Sequence, residues 1–281
     1  MRKREGFEIE ELEKGTYWIR ETTGLHMYLV IGKERAALFD TGIGLGNLPG
    51  VVASITDKPV LVCLTHYHHD HAGGAGNFSE VLISEEDAPY LHKGTDLLAR
   101  KGFLDVLESV NVIESYDDKD LAPDRKVAIR TVKPGDVIDL GERNVLVCDM
   151  KGHTPGSVGY FDENTGTLFA GDGCNNSTFM FIKDSLDISV YKEMLINLKN
   201  TLGERLKKMV ICHDYTYVPI ECIDNVIECC DLILSGKSED DYFETPLEKG
   251  PETYARWAKK GGPNRVDGKF GNIVYDTRRI R

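Results

Sequence analysis

The run Thr65-His66-Tyr67-His68-His69-Asp70-His71 follows directly on the apolar stretch Pro59-Val60-Leu61-Val62-Cys63-Leu64. It sets the pattern His-x-His-x-Asp-His at the end of a buried strand and holds four of the chain's eight histidines. Imidazole and carboxylate are ligands of zinc and its first-row neighbours, and a catalytic site keeps one coordination position open for water. On an extended strand, residues two apart point to the same side, so His66 and His68 can share one ion. A turn at His69 then swings Asp70 and His71 toward a second ion. His69 itself occupies an x position, where packing or hydrogen bonding beside the ligands is its expected role. A histidine-rich surface loop that binds metal adventitiously would need neither the aspartate nor the strand before it.

Four residues are too few for two four- or five-coordinate ions, so the remaining ligands must lie further along. His153 sits in Lys151-Gly152-His153-Thr154-Pro155-Gly156-Ser157, a turn after the strand-like Asn144-Val145-Leu146-Val147-Cys148. Asp172 sits in Leu168-Phe169-Ala170-Gly171-Asp172-Gly173, and His213 closes Met209-Val210-Ile211-Cys212. All three stand where strands stop.

The order His-x-His-x-Asp-His, Gly-His-Thr-Pro-Gly-Ser, Gly-Asp and a late His resembles the metallo-β-lactamase superfamily over about residues 15 to 275. Leu38-Phe39-Asp40-Thr41-Gly42 resembles that family's early strand and turn with a buried aspartate. The resemblance implies an α/β fold, a four-layer αββα sandwich. It implies that His66, His68 and His153 bind one ion, that Asp70, His71 and His213 bind the other, and that Asp172 bridges both. Asp40 is not implied as a ligand. It either accepts a hydrogen bond near the site and holds the metal loop, or is a plain turn aspartate before Gly42. The implied cofactor is two divalent metal ions, zinc first, with iron or manganese also compatible with ligands that lack a thiolate. Cys174 reads as a small buried residue rather than a soft ligand.

The activity so implied is that of a metal-dependent hydrolase, in which a metal-bridging hydroxide cleaves an ester, thioester or lactone bond in a small molecule. Asp70 is the candidate catalytic residue: bound through one oxygen, it can use the other to orient the hydroxide and carry a proton to the leaving group. Glyoxalase-II-like thioester hydrolysis and lactonase activity both fit. The alternative is a mononuclear iron oxidoreductase resembling persulfide dioxygenases. Phosphodiester or RNA cleavage ranks lower, because the body of the chain is acidic and has no long basic insert. Asn175, Asn176 and Tyr215 lie near candidate ligands and are read as hydrogen-bond donors to substrate.

Across 281 residues the net charge is −12, yet Thr245 to Arg281 holds nine Lys or Arg against four Asp or Glu. One domain is expected, with a basic C-terminal extension at about 245–281. Either this is a basic tail on an acidic body, or Lys259, Lys260, Arg265 or Lys269 reaches over the metal mouth to hold an anionic substrate group. Trp257 would wall a pocket or anchor the segment. The N-terminus runs into Glu8, Glu10, Glu11 and Glu13 rather than an apolar stretch, and no run approaches the ~20 apolar residues of a membrane span. A cytoplasmic protein without membrane or nucleic-acid partners is expected, its oligomeric state left open. Seven cysteines in apolar contexts read as free buried thiols.

Periodicity predicts strands at 16–20, 26–31, 35–39, 59–64, 127–132, 137–139, 144–149, 158–162, 167–170 and 209–212. Helices are expected at 48–55, 188–207 and 219–235, and across 85–108 with breaks at Gly94 and Gly102. Ala72-Gly73-Gly74-Ala75-Gly76 is read as permitting close backbone approach behind the metals, since it lacks the Lys-Ser or Lys-Thr of a phosphate loop. Two sheets packed face to face with helices outside is the architecture this order fits.

Overall fold

Every side chain of Met27-Tyr28-Leu29-Val30 is buried, and neighbours face opposite ways: Met27 and Leu29 enter one apolar cluster, Tyr28 and Val30 another. Ala36 to Phe39 divides in the same manner. A strand buried on both faces belongs to a central layer, and these two lie inside the larger of two stacked sheets. The computed structural model describes residues 2–4, 6–244 and 254–280.

The first sheet has eight strands in sequence order: β1 (Arg2–Arg4), β2 (Phe7–Glu13), β3 (Thr16–Arg20), β4 (His26–Ile31), β5 (Ala36–Phe39), β6 (Val60–Cys63), β7 (Glu80–Ser84) and β8 (Ala128–Val132). Pairing is antiparallel from β1 to β5 and parallel from β5 to β8. The second sheet is built from β9 (Val137–Asp139), β10 (Asn144–Asp149), β11 (Val158–Asp162), β12 (Thr167–Phe169), β14 (Lys208–Val210) and β15 (Tyr217–Val218). Tyr28, Val30 and Phe39 meet Val145, Val147, Tyr160 and Phe169 between the sheets, with Phe39 and Tyr160 stacked at 4.6 Å.

Helices cover both outer faces. On the first sheet lie α1 (Leu48–Ala53), the single turn α2 (His69–Ala72) and α3 (Leu91–Thr95), while α4 (Leu97–Ser109) packs beside them on Leu25, Ile43 and Leu121. The second is covered by α5 (Ile188–Leu202) and α6 (Cys222–Leu234), whose buried Tyr191, Leu195, Leu198, Val226, Cys230 and Ile233 pack on Phe161, Leu168 and Met209. This is the expected α/β sandwich of four layers. No helix among the described residues is long and apolar enough to cross a membrane. All seven cysteines are free and buried.

Four features depart from the expectation. A third sheet of four strands, ordered β13 (Thr178–Met180), β18 (Ile273–Asp276), β17 (Ala255–Trp257) and β16 (Asp241–Tyr242), was not foreseen. Its strands are two to four residues long, too short for periodicity to register, and β13 pairs with β18 across 95 positions. The basic segment contributes β17 and β18 to this sheet rather than lying on the surface as a tail; 245–253 and 281 lie outside the described residues. The helical stretch at 85–108 breaks not at Gly94 or Gly102 but at Asp96, whose side chain caps α4 by accepting from Ala99 N–H at 2.8 Å. Strand β2 was masked by its acidic residues, although Phe7 and Ile9 alternate inward.

Candidate metal centre

Strand ends deliver the site. His66 follows the end of β6 by three residues, and His68 is still extended (ψ 152°) where it caps α2, so the chain turns at His69 and carries Asp70 and His71 inward. His153 follows β10, and Asp172 follows β12 through Gly171 at φ +54°, where a Cβ would press on Thr65. His213 is placed by strand β4: Tyr28 Oη donates to the Ile211 carbonyl at 2.6 Å and His26 N–H to that of Cys212 at 2.9 Å.

Two groups result. Ligand atoms of His66, His68 and His153 lie within 4.8 Å of one another, and so do those of Asp70, His71, Asp172 and His213. Asp172 touches both: its Oδ2 is 3.4 Å from His71 Nε2 and 3.7 Å from His153 Nε2, while Oδ1 is 3.3 Å from His213 Nε2. Asp70 Oδ2 stands 3.6 Å from His213 Nε2 and 3.8 Å from His71 Nε2.

The histidine tautomers follow from their other partners. Asp40 stands at φ +64°, a left-handed conformation that aspartate adopts more readily than most residues. Its carboxylate accepts from Thr65 N–H at 2.7 Å, from the Thr65 hydroxyl at 2.8 Å and from His71 Nδ1 at 2.7 Å. A carboxylate can only accept, so His71 carries its proton on Nδ1 and turns a lone pair on Nε2 inward. Thr65 has given its one proton to Asp40, so its oxygen accepts from His66 Nδ1 at 3.1 Å, which leaves His66 Nε2 as a lone pair as well. His153 Nδ1 donates to the Phe179 carbonyl at 2.7 Å. Asp40 thus holds the loop carrying both groups, the more specific of its two sequence readings.

The Nε2 atoms of His66 and His71 are buried and have no partner within the described chain. Orphaned buried acceptors are costly, and lone pairs converging from several sides are what a cation satisfies. The residues present therefore fit divalent ions. Charge agrees. Burial drives His66 far below the usual histidine range and His68 down to about 3, so the first group is a set of neutral imidazoles. In the second group burial also disfavours charge, but Asp172 outweighs it and raises His71 and His213, favouring positive charge at their inward nitrogens, which a metal ion would supply in place of a proton. Burial likewise opposes ionisation of Asp70, yet His71, His69 and His213 bring it down to about 2. Two carboxylates here draw positive charge inward, and metal ions answer the same demand.

Residues 23–174, just over half of the chain, match the sequence profile of the Metallo-beta-lactamase superfamily. The chain belongs to the metallo-β-lactamase superfamily. It is similar to Acyl-coenzyme A thioesterase MBLAC2 of Bos taurus, 31% identical over 196 residues, which cover 60% of this chain and 66% of that one. The aligned part thus spans just under two thirds of that relative's length. It is also similar to Hydroxyacylglutathione hydrolase of Gloeothece citriformis, 25% identical over 143 residues and 45% of each chain. Among solved structures, a metallo-beta-lactamase from Pontibacter korlensis matches with a TM-score of 0.56 at 18% identity, covering 79% of this chain and 97% of that one.

The remaining candidate residues of this metallo-β-lactamase-fold chain are placed as follows. Asn176 does not face a substrate: it is buried, and its amide is committed to the Pro263 carbonyl at 2.7 Å and Gly271 N–H at 3.2 Å. Asn175 shapes the turn after Asp172, its Oδ1 accepting from Ser177 N–H at 2.7 Å. The Tyr215 ring is partly exposed and packs on Phe270 at 5.3 Å. Lys259, Arg265 and Lys269 are each engaged in ion pairs. Lys259 pairs with Glu239, Lys269 with Glu228, and buried Arg265 with Asp267 and Glu228. Lys260 is exposed, and its backbone N–H is held by Glu239. Trp257 anchors the third sheet by packing on Phe243 at 5.5 Å. His69 lies in neither group and packs on Phe103 at 4.8 Å, while Tyr67 is buried in the core with its hydroxyl on Asp184 at 2.6 Å. The sequence reading assigned no role to Thr65 or Asp87; threonine and aspartate beside turns look like ordinary turn chemistry.

Proposed function

We propose that this chain is a metal-dependent hydrolase that cleaves the thioester bond of a small acyl thioester, with two zinc ions as its cofactor. The observation that carries the reading is the convergence of seven side chains into two adjoining groups joined by Asp172, with lone pairs aimed inward. A complete second group of Asp70, His71, Asp172 and His213 favours two ions over the single iron of the alternative. Relatives whose names denote hydrolysis of acyl-coenzyme A and of hydroxyacylglutathione favour a thioester over other esters.

His66, His68 and His153 would hold one ion, Asp70, His71 and His213 the other, and Asp172 both. Bound there, two divalent ions supply hydroxide at neutral pH and an electrophilic centre for the carbonyl oxygen. The chain's own task is placement. Thr65, Asp40 and the Phe179 carbonyl hold three imidazoles in one tautomer. Asp70 directs Oδ2 at His71 and His213, so its second oxygen is the group proposed to hold a proton and pass it to the departing thiolate.

The test is elemental analysis of the purified chain together with hydrolysis of acyl-coenzyme A and acyl-glutathione thioesters against matched oxygen esters and lactones. Two zinc ions per chain and preference for thioesters are expected. Asp70→Asn should lower kcat by roughly 10²–10⁴-fold; full turnover in a variant that keeps both ions removes the proton role. One iron per chain with oxygen consumption overturns the hydrolase reading.

A further inference from the structure

Asp87 is wholly buried, belongs to neither metal group, and forms no ion pair with a Lys or Arg among the described residues. Its carboxylate joins the two loops that carry the first group. Oδ2 accepts from the Thr154 hydroxyl at 2.7 Å and from Tyr67 N–H at 3.3 Å, and Oδ1 accepts from Gly156 N–H at 2.9 Å. Tyr67 stands between His66 and His68, while Thr154 and Gly156 stand in the turn after His153. Asp87 N–H donates to Ser84 Oγ at 3.2 Å, which ties the junction to the end of β7.

The same junction accounts for the Thr154-Pro155-Gly156-Ser157 motif, which the metal ligands alone leave unexplained. The Thr154 hydroxyl proton goes to Asp87, so Ser157 Oγ, 2.7 Å away, donates to Thr154 and in turn accepts Thr154 N–H at 3.1 Å. A Cβ at position 156 would collide with Ser84 Oγ and with Asp87 itself, so glycine leaves the space the carboxylate occupies. Thr154 and Gly156 thus meet Asp87 directly, and Ser157 steadies Thr154.

We propose that Asp87 is a positioning residue that sets the separation between His153 and the His66–His68 pair, and through it the affinity of the first metal group. This rests on the metal reading above. An amide cannot take its place: with NH₂ at the Oδ1 position it faces Gly156 N–H, and at the Oδ2 position it faces Tyr67 N–H, so either orientation breaks a backbone bond and releases one loop.

The experiment is competition between the purified full chain and a zinc chelator, read as ions bound per chain and the affinity of each. Wild type should hold two ions. Asp87→Asn should hold one as wild type does and the other roughly 10–100-fold more weakly. Thr154→Val, which removes one donor and keeps the shape, should weaken the same ion, and Thr154→Ser should restore it. In a His213→Ala background Asp87→Asn should weaken the remaining ion; in a His153→Ala background it should not. If Asp87→Asn lowers the unfolding temperature while both ions bind unchanged, the inference falls and the metal reading stands. If wild type takes up no divalent ion, both fall. Should Asp87→Asn not fold, the comparison of Thr154→Val with Thr154→Ser decides.

Discussion

Glu21 is 2% exposed, and its carboxyl accepts from Ile43 N–H at 2.9 Å and the Thr23 hydroxyl at 2.8 Å through Oε1 and leaves Oε2 without a hydrogen-bond partner among the described residues. Burial, aided by the negative charge of Asp70, raises it from 4.5 to about 7. A carboxyl whose folded pKa exceeds its unfolded one binds its proton more tightly in the folded chain. Its contribution to stability is therefore full below about pH 4.5 and lost as the pH rises through about 7. That loss is at most on the order of 3 kcal/mol. Glu21→Gln should be more stable than wild type at pH 8, with the gap closing toward pH 5, in urea titrations of protein freed of divalent ions. An equal effect at both pH values would show that charge burial is not the cause. Residues of this kind are hard to read from sequence, because Glu21-Thr22-Thr23-Gly24 resembles a solvated turn. The seven candidate ligands were legible for the opposite reason. Histidine is scarce, and its placement at strand ends has few other uses, whereas Thr65 and Asp87 acquire their roles only from partners that folding supplies.

Helix α3 shows where local propensity and packing oppose one another. Gly94 lies inside α3, and in an isolated helix alanine would be preferred there by about 1 kcal/mol. A Cβ at that position would collide with the Tyr67 carbonyl, in the middle of the His66–His68 loop. Gly94→Ala should therefore destabilise by about 1–3 kcal/mol, the usual cost of overpacking. Gly102 is exposed in α4 with nothing among the described residues within 4 Å of an added Cβ, so Gly102→Ala should stabilise by about 1 kcal/mol. Denaturant titration of the two variants checks the contrast; gains of equal size would mean that α3 can move away from the loop at little cost. Sequence reasoning saw two glycines as two helix breaks because it weighed only propensity. The actual break belongs to Asp96, which caps α4, and Gly94 is required by the approach of helix to loop.

At the scale of the whole molecule, the two large sheets are joined at both ends. At one end lies the candidate metal centre, where Val158 N–H, at the start of β11, donates to the Thr65 carbonyl at 2.9 Å. At the far end of β11, Asp162 pairs with Arg143 at 2.6 Å. The same guanidinium reaches the first sheet, donating to Thr16 Oγ1 at 2.6 Å and to the carbonyls of Gly15 and Ile31 at 3.2 Å. The alternating strands made the two sheets legible in advance, but nothing in the sequence matched Arg143 to Thr16, which are 127 positions apart. Both charges are buried, so removing one leaves the other uncompensated, a loss of about 3–5 kcal/mol. Asp162→Ala should show that loss in urea denaturation and still bind the same number of divalent ions, because the sheets remain pinned at the opposite end. A loss below about 1 kcal/mol, the worth of an exposed pair, would mean that Arg143 finds enough compensation among the carbonyls of the first sheet. Loss of an ion together with the stability would mean that the two ends are coupled, so that a shift between the sheets at Arg143 is felt at Thr65 and, through its hydroxyl, at His66.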